Sequence, residues 1–105
     1  MPVLKEEPTL KDFQQYIREM EEERGFTKKT VLEVCLLLGE EVGEVFKAVR
    51  HKVKLNIEPS SIQREVDEEL ADMLIYLCAI ANRLDIELET AFRMKEEVNK
   101  RRVWK

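Results

Sequence analysis

Apolar residues recur at helical spacing along most of the chain. Leu10, Phe13, Ile17 and Met20 follow Thr9 and Asp12, which read as an N-cap with an acidic first turn, and Gly25 marks a C-terminal stop. This predicts a helix over about residues 10–24. Val31, Val34, Cys35, Leu38, Val42, Val45 and Val49 form the apolar stripe of a second helix, about 28–50, for which Thr27 is the expected cap. The polar connection HKVKLNIEP closes on Pro59, and Ser60 with Gln63 has the spacing of a capping box. That box opens a third helix over about 61–84, and a short joint near 83–86 leads to a fourth over about 87–101. No period-two alternation and no repeat interrupts this pattern. The expected fold is all-α, a four-helix bundle forming one domain over residues 1–105.

The acids do not sit where a solvated helix face would put them. With Leu38 at zero and about 100° per residue, Glu41 falls at about −60° and Glu44 at about −120°, beside the apolar stripe. Glu40 lies near 200° and points away, at about the same angular step. The third helix repeats the arrangement. Ile62, Val66, Leu70, Met73, Leu74, Leu77, Ala81 and Leu84 make its expected core stripe, and Glu65, Glu69, Asp72, Tyr76 and Arg83 run along one flank. Asp72 stands in a segment, residues 71–81, that is apolar on nearly every side. Each of two helices therefore offers an acidic i,i+3 pair, Glu41/Glu44 and Glu69/Asp72.

Composition narrows the chemistry. With 38% charged and 44% hydrophobic residues, three Gly and three Pro, the chain suits a soluble helical protein. A net charge of −4 gives no global attraction to nucleic acid polymers or anionic membranes. MPVLKEEP has no apolar segment after its start, and LADMLIYLCAIA (70–81) is too short to span a bilayer. Cys35 and Cys78 stand in apolar helical runs, not in a CxxC, and read as free, buried thiols of a cytoplasmic protein.

Four carboxylates at one point repel each other unless a cation joins them. Oxygen-only ligands select Mg²⁺, Mn²⁺ or Ca²⁺. A di-iron site would need Glu-x-x-His on two helices, and the single histidine, His51, is in no such motif. The plain alternative is solvated helix surface with i,i+4 basic partners. The apolar surroundings of Asp72 and the doubled i,i+3 geometry favour metal.

Glu40-Glu41-x-x-Glu44, followed after 24 residues by Glu69-x-x-Asp72, resembles the EExxE…ExxD signature of the MazG-like, all-α nucleotide pyrophosphohydrolases. EELADMLIYL (68–77) is similar to that family's third helix. Lys95-x-x-x-Asn99-x-x-Arg102 resembles the basic end of the fourth helix in its dCTP pyrophosphatase branch. The resemblance covers about residues 10–104 and departs at Val103-Trp104, where a Tyr-Pro ending is familiar. It implies hydrolysis of a nucleoside triphosphate between the α and β phosphates, for nucleotide-pool housecleaning, with Mg²⁺ as cofactor and Mn²⁺ as a substitute. It implies Glu41, Glu44, Glu69 and Asp72 as metal ligands and Glu40, Glu41 and Glu44 as the catalytic acids, with Glu40 toward a second ion or the attacking water. dUTPase-like and phosphoribosyl-ATP pyrophosphatase activities share such acidic helices.

Lys95, Asn99 and Arg102 recur at i, i+4 and i+7, a strip suited to anionic oxygens, although basic residues also complement the end of a helix dipole. Tyr76, one turn after Asp72, suits packing beside a base or sugar, or the core; Phe13, Gln14 and Tyr16 are candidates for a base pocket. Gly43 inside a helix points to a close helix contact or room for ligand. A third helix apolar on every side has too little of its own chain to cover it, so a homodimer or homotetramer is expected, with sites near subunit contacts. The reading from another class is a non-catalytic helical dimerisation or adaptor module with an acidic surface.

Overall fold

The computed structural model describes residues 1–53 and 65–103. Four helices are present and no strand occurs among the described residues: α1 (Leu10–Arg24), α2 (Val31–Lys52), α3 (Val66–Arg83) and α4 (Leu88–Lys100). The expected cap at Ser60/Gln63, the start of the third helix at 61–64, Ile62 and Trp104 lie outside the described residues.

Local chemistry explains the helix ends. Thr9 Oγ1 accepts the Asp12 N–H at 3.2 Å while Asp12 accepts the Thr9 N–H at 2.9 Å, a complete capping box. Gly25 closes α1 in the left-handed region at φ 75°, and the Phe26 N–H reaches back to the Glu21 carbonyl at 2.8 Å. α2 begins later than its apolar pattern suggests. Its cap is Thr30, not Thr27, because Thr30 has Glu33 three residues on to complete a box and Thr27 does not. Asp85, at φ 54°, turns the chain between α3 and α4.

α3 is the central helix, packed most extensively on α2 and also on α1, while α4 rests on α1. Ile17 and Met20, Val34, and Cys78 and Ala79 meet in the core. On α2 the inward line runs through Val34, Glu41 and Ala48, seven residues apart, with Val34 and Ala48 buried. That line is rotated by about 60° from the centre of the apolar stripe toward the carboxylates. The rotation corrects the expectation for Cys35, which is exposed, and Val49, also exposed; Cys78 is buried, and burial pushes its thiol up. α3 departs further from its expected stripe. Leu70, Leu77 and Leu84 remain 51%, 43% and 51% exposed, while the side turned inward carries Glu69, Cys78, Ala79 and Asn82. Small residues at Cys78 and Ala79 allow close helix approach, which bulky leucines would prevent.

Candidate metal centre

Because the inward line of α2 passes through Glu41, the α2–α3 contact delivers that side chain to Glu69 and Asp72, one helical turn apart on α3. Each of the three offers a carboxylate oxygen, and these oxygens lie within 4.8 Å of one another. Glu69 is 1% exposed; Glu41 and Asp72 are half-buried. Glu41 is pushed up to about 7, first by burial, then by a hydrogen bond with Glu69, then by the charges of Asp72, Glu69 and Glu44. Glu41 Oε2 is buried with no hydrogen-bond partner. A buried carboxylate oxygen left in this state costs free energy that a cation would recover. The donor set is oxygen only, which fits a hard divalent ion such as Mg²⁺ and gives a soft metal no thiolate or imidazole.

A pocket of about 230 Å³ opens beside this cluster. Asp72 and Tyr76 of α3 line it together with Glu21 and Arg24 of α1 and with Phe26 and Lys29 in the connection to α2. Lys29 Nζ sits 4.8 Å from the Phe26 ring centroid. The Tyr76 hydroxyl is pushed up from its ordinary value, first by burial and then by the charges of Glu41, Asp72 and Glu40. Two cations and two aromatic rings share this lining with the carboxylates of Asp72 and Glu21, which suits a charged ligand that carries a flat ring.

The expected residues separate into two groups. Glu41, Glu69, Asp72 and Tyr76 converge. Glu44 is half-buried one turn along α2 and stands outside the converging trio, while Glu40 is exposed. The basic strip of α4 is elsewhere: Lys95 and Arg102 are exposed, Asn99 donates to Glu96 at 3.3 Å, and none of the three lines the pocket. Gln14 does not line the pocket beside the carboxylates. It is buried, donating to Asn82 at 3.1 Å and to the Ile86 carbonyl at 2.8 Å, and accepting the Leu88 N–H at 2.8 Å. Phe13 and Tyr16 line an apolar pocket with Val3 and Leu74. A side-chain carbon at Gly43 would meet nothing within 4 Å, so no close helix contact explains that glycine. Phe26 and Lys29 gave no signal at helical spacing, because a connection has no period to break, and Arg24 is the last residue of α1.

Residues 26–103 match the model of the MazG nucleotide pyrophosphohydrolase domain. This chain belongs to that family. The MazG match includes Glu41, Glu69, Asp72 and all of α4. The MazG chain is 35% identical over 101 residues to dCTP pyrophosphatase 1 of Homo sapiens, covering 91% of this chain and 59% of that protein. It is 33% identical to dCTP pyrophosphatase 1 of Rattus norvegicus over 101 residues, with the same shares. It therefore spans about three-fifths of the length of these curated relatives. The crystal structure of iMazG from Vibrio DAT 722 superposes with a TM-score of 0.64 at 29% identity, covering 88% of this chain and 94% of that one. The four helices are those of an all-α MazG-like fold. No helix among the described residues is long and apolar enough to cross a membrane.

Proposed function

We propose that this MazG domain is a Mg²⁺-dependent nucleoside triphosphate pyrophosphohydrolase that cleaves between the α and β phosphates, giving monophosphate and pyrophosphate. The observation that carries this reading is the convergence of Glu41, Glu69 and Asp72 from two helices beside a pocket with cationic and aromatic walls. Glu41, Glu69 and Asp72 would hold Mg²⁺, or Mn²⁺ in its place, with Glu44 joining them from one turn along α2 and Glu41 ionised. The ion would supply charge neutralisation at the phosphates and activation of water. Glu40, on the solvent side of α2, is assigned with Glu44 to orienting the attacking water. Tyr76 and Phe26 flank the base and sugar. dCTP, the nucleotide in the relatives' name, is the first substrate to test, within a role in cytoplasmic nucleotide-pool housecleaning and without nucleic acid polymers.

The active form is a homodimer or a dimer of dimers in this reading. Leu70 and Leu77 on α3, Leu84 at its end, and Leu32, Leu36 and Phe46 on α2 leave large apolar surface open. The radius of gyration is 16.5 Å, against about 13 Å for a compact chain of this length. Lys95, Asn99 and Arg102 are assigned to phosphate contact in that assembly. Substitution tests the site. Glu41→Gln, Glu69→Gln and Asp72→Asn should each abolish metal-dependent triphosphate hydrolysis while far-UV circular dichroism stays helical. Full turnover in all three contradicts the assignment, and a wild type without turnover on any triphosphate favours the adaptor module.

A further inference from the structure

The geometry points to Arg83 as the positioning residue for one wall of the pocket: it fixes the α1–α2 connection that presents Phe26 and Lys29 to the substrate. The inference rests on the pocket beside Glu41, Glu69 and Asp72 being the substrate site. Arg83 ends α3, eleven residues after Asp72. At about 1.5 Å per residue that is some 16 Å along the helix, too far for any contact with the carboxylates. Its influence has to pass through what it holds.

The guanidinium holds a great deal. Nε donates to the Lys29 carbonyl at 2.9 Å, and one terminal nitrogen donates to the Phe26 carbonyl at 3.1 Å. Both terminal nitrogens meet the Glu21 carboxylate, at 3.0 and 2.6 Å, and one also donates to the Ala79 carbonyl at 3.0 Å. The ion pair is nearly closed to water, with side-chain exposures of 14% and 10%. One planar fork thus ties α3, α1 and two carbonyls of the connection into a single unit.

The connection has little else to hold it. Its own backbone hydrogen bonds are the Phe26 N–H to Glu21 at 2.8 Å and the Lys29 N–H to Phe26 at 3.3 Å. Phe26 is 40% exposed, and its ring meets Lys29 of the same connection. The two carbonyls that Arg83 captures belong to the two connection residues that line the pocket. A lysine at this position keeps the charge but is a point donor on a flexible stem, and cannot serve Glu21 and both carbonyls in one plane.

Three proteins test this: wild type, Arg83→Lys, and Gln14→Ala, a destabilised control whose buried network lies away from the connection. Steady-state kinetics with Mg²⁺ and the preferred triphosphate are measured well below each melting temperature. Hydrogen exchange is followed at residues 26–30 alongside. Arg83→Lys should raise KM about tenfold with kcat within about twofold, and speed exchange in the connection. Gln14→Ala should lose melting temperature with KM and connection exchange unchanged. If Arg83→Lys behaves as Gln14→Ala does, Arg83 is only a structural ion pair and the inference is overturned. Wild-type protein that turns over no triphosphate defeats the function reading instead, and the positioning role with it.

Discussion

Glu41 of α2 and Glu69 of α3 bring carboxylate oxygens within 4.8 Å of each other across the most extensive helix pair of the fold. Two carboxylates can share a hydrogen bond only while one keeps its proton. With Glu41 pushed up to about 7, the metal-free site is only partly ionised near neutral pH, and this links pH, metal and stability.

In the unfolded chain Glu41 loses its proton near 4.5; folded and metal-free, it does so near 7. Between those values the folded state binds more protons, so stability falls as pH rises through the window, and the full penalty is present above it. The size is roughly 1–3 kcal/mol for a half-buried carboxyl. Melting curves in EDTA from pH 4.5 to 8 should show Glu41→Gln gaining on wild type as pH rises. Adding Mg²⁺ should stabilise wild type more at pH 7.5 than at pH 5, and the variant little at either. A constant gap across the range contradicts the raised Glu41 value.

Gly43 stands inside α2 with open space where a side chain would go. Gly43→Ala should stabilise the fold by roughly 0.5–1 kcal/mol through helix propensity and raise the melting temperature by about 3–6 °C. Calorimetry checks this. Destabilisation would mean that the assembled protein presses another surface against Gly43.

Leu70, Leu77 and Leu84 form a heptad-spaced stripe that the described residues leave about half exposed. Leu77→Glu should shift the mass measured by light scattering from at least a dimer toward the 12.5 kDa chain, and lower the melting temperature. Wild-type protein that runs as a monomer at micromolar concentration contradicts the proposed assembly.

Gln14 joins α1 to α3 and to the first turn of α4, which has no side-chain cap of its own. Gln14→Ala leaves the Leu88 N–H without its acceptor and the Ile86 carbonyl without that donor. Urea unfolding should show a loss of roughly 2–4 kcal/mol, since each buried polar group left unpaired costs about 1–3 kcal/mol.

The sequence made the elements legible wherever the signal was local. Thr9 with Asp12, and Gly25, mark the ends of α1 because a cap is decided by residues three or four apart. Thr30-x-x-Glu33 carries the same local spacing, which Thr27 lacks. The convergence of Glu41 with Glu69 and Asp72 was legible from doubled i,i+3 spacing on two helices. The orientation of α3 was not. An apolar wheel cannot distinguish the face a helix shows its own chain from the face left for another surface, and here Leu70 and Leu77 stay half exposed while Glu69 is buried. Arg83 and Glu21, 62 residues apart, pair through tertiary geometry that no local period encodes.

The most direct test of the central claim is the phosphorus-31 spectrum of one reaction: purified protein, dCTP and Mg²⁺, followed to completion beside a matched sample in EDTA. Monophosphate and pyrophosphate in equal amounts, with the EDTA sample unchanged, is the predicted result. Diphosphate with inorganic phosphate would place the cleavage at the wrong bond, and equal turnover in EDTA would remove the ion from Glu41, Glu69 and Asp72.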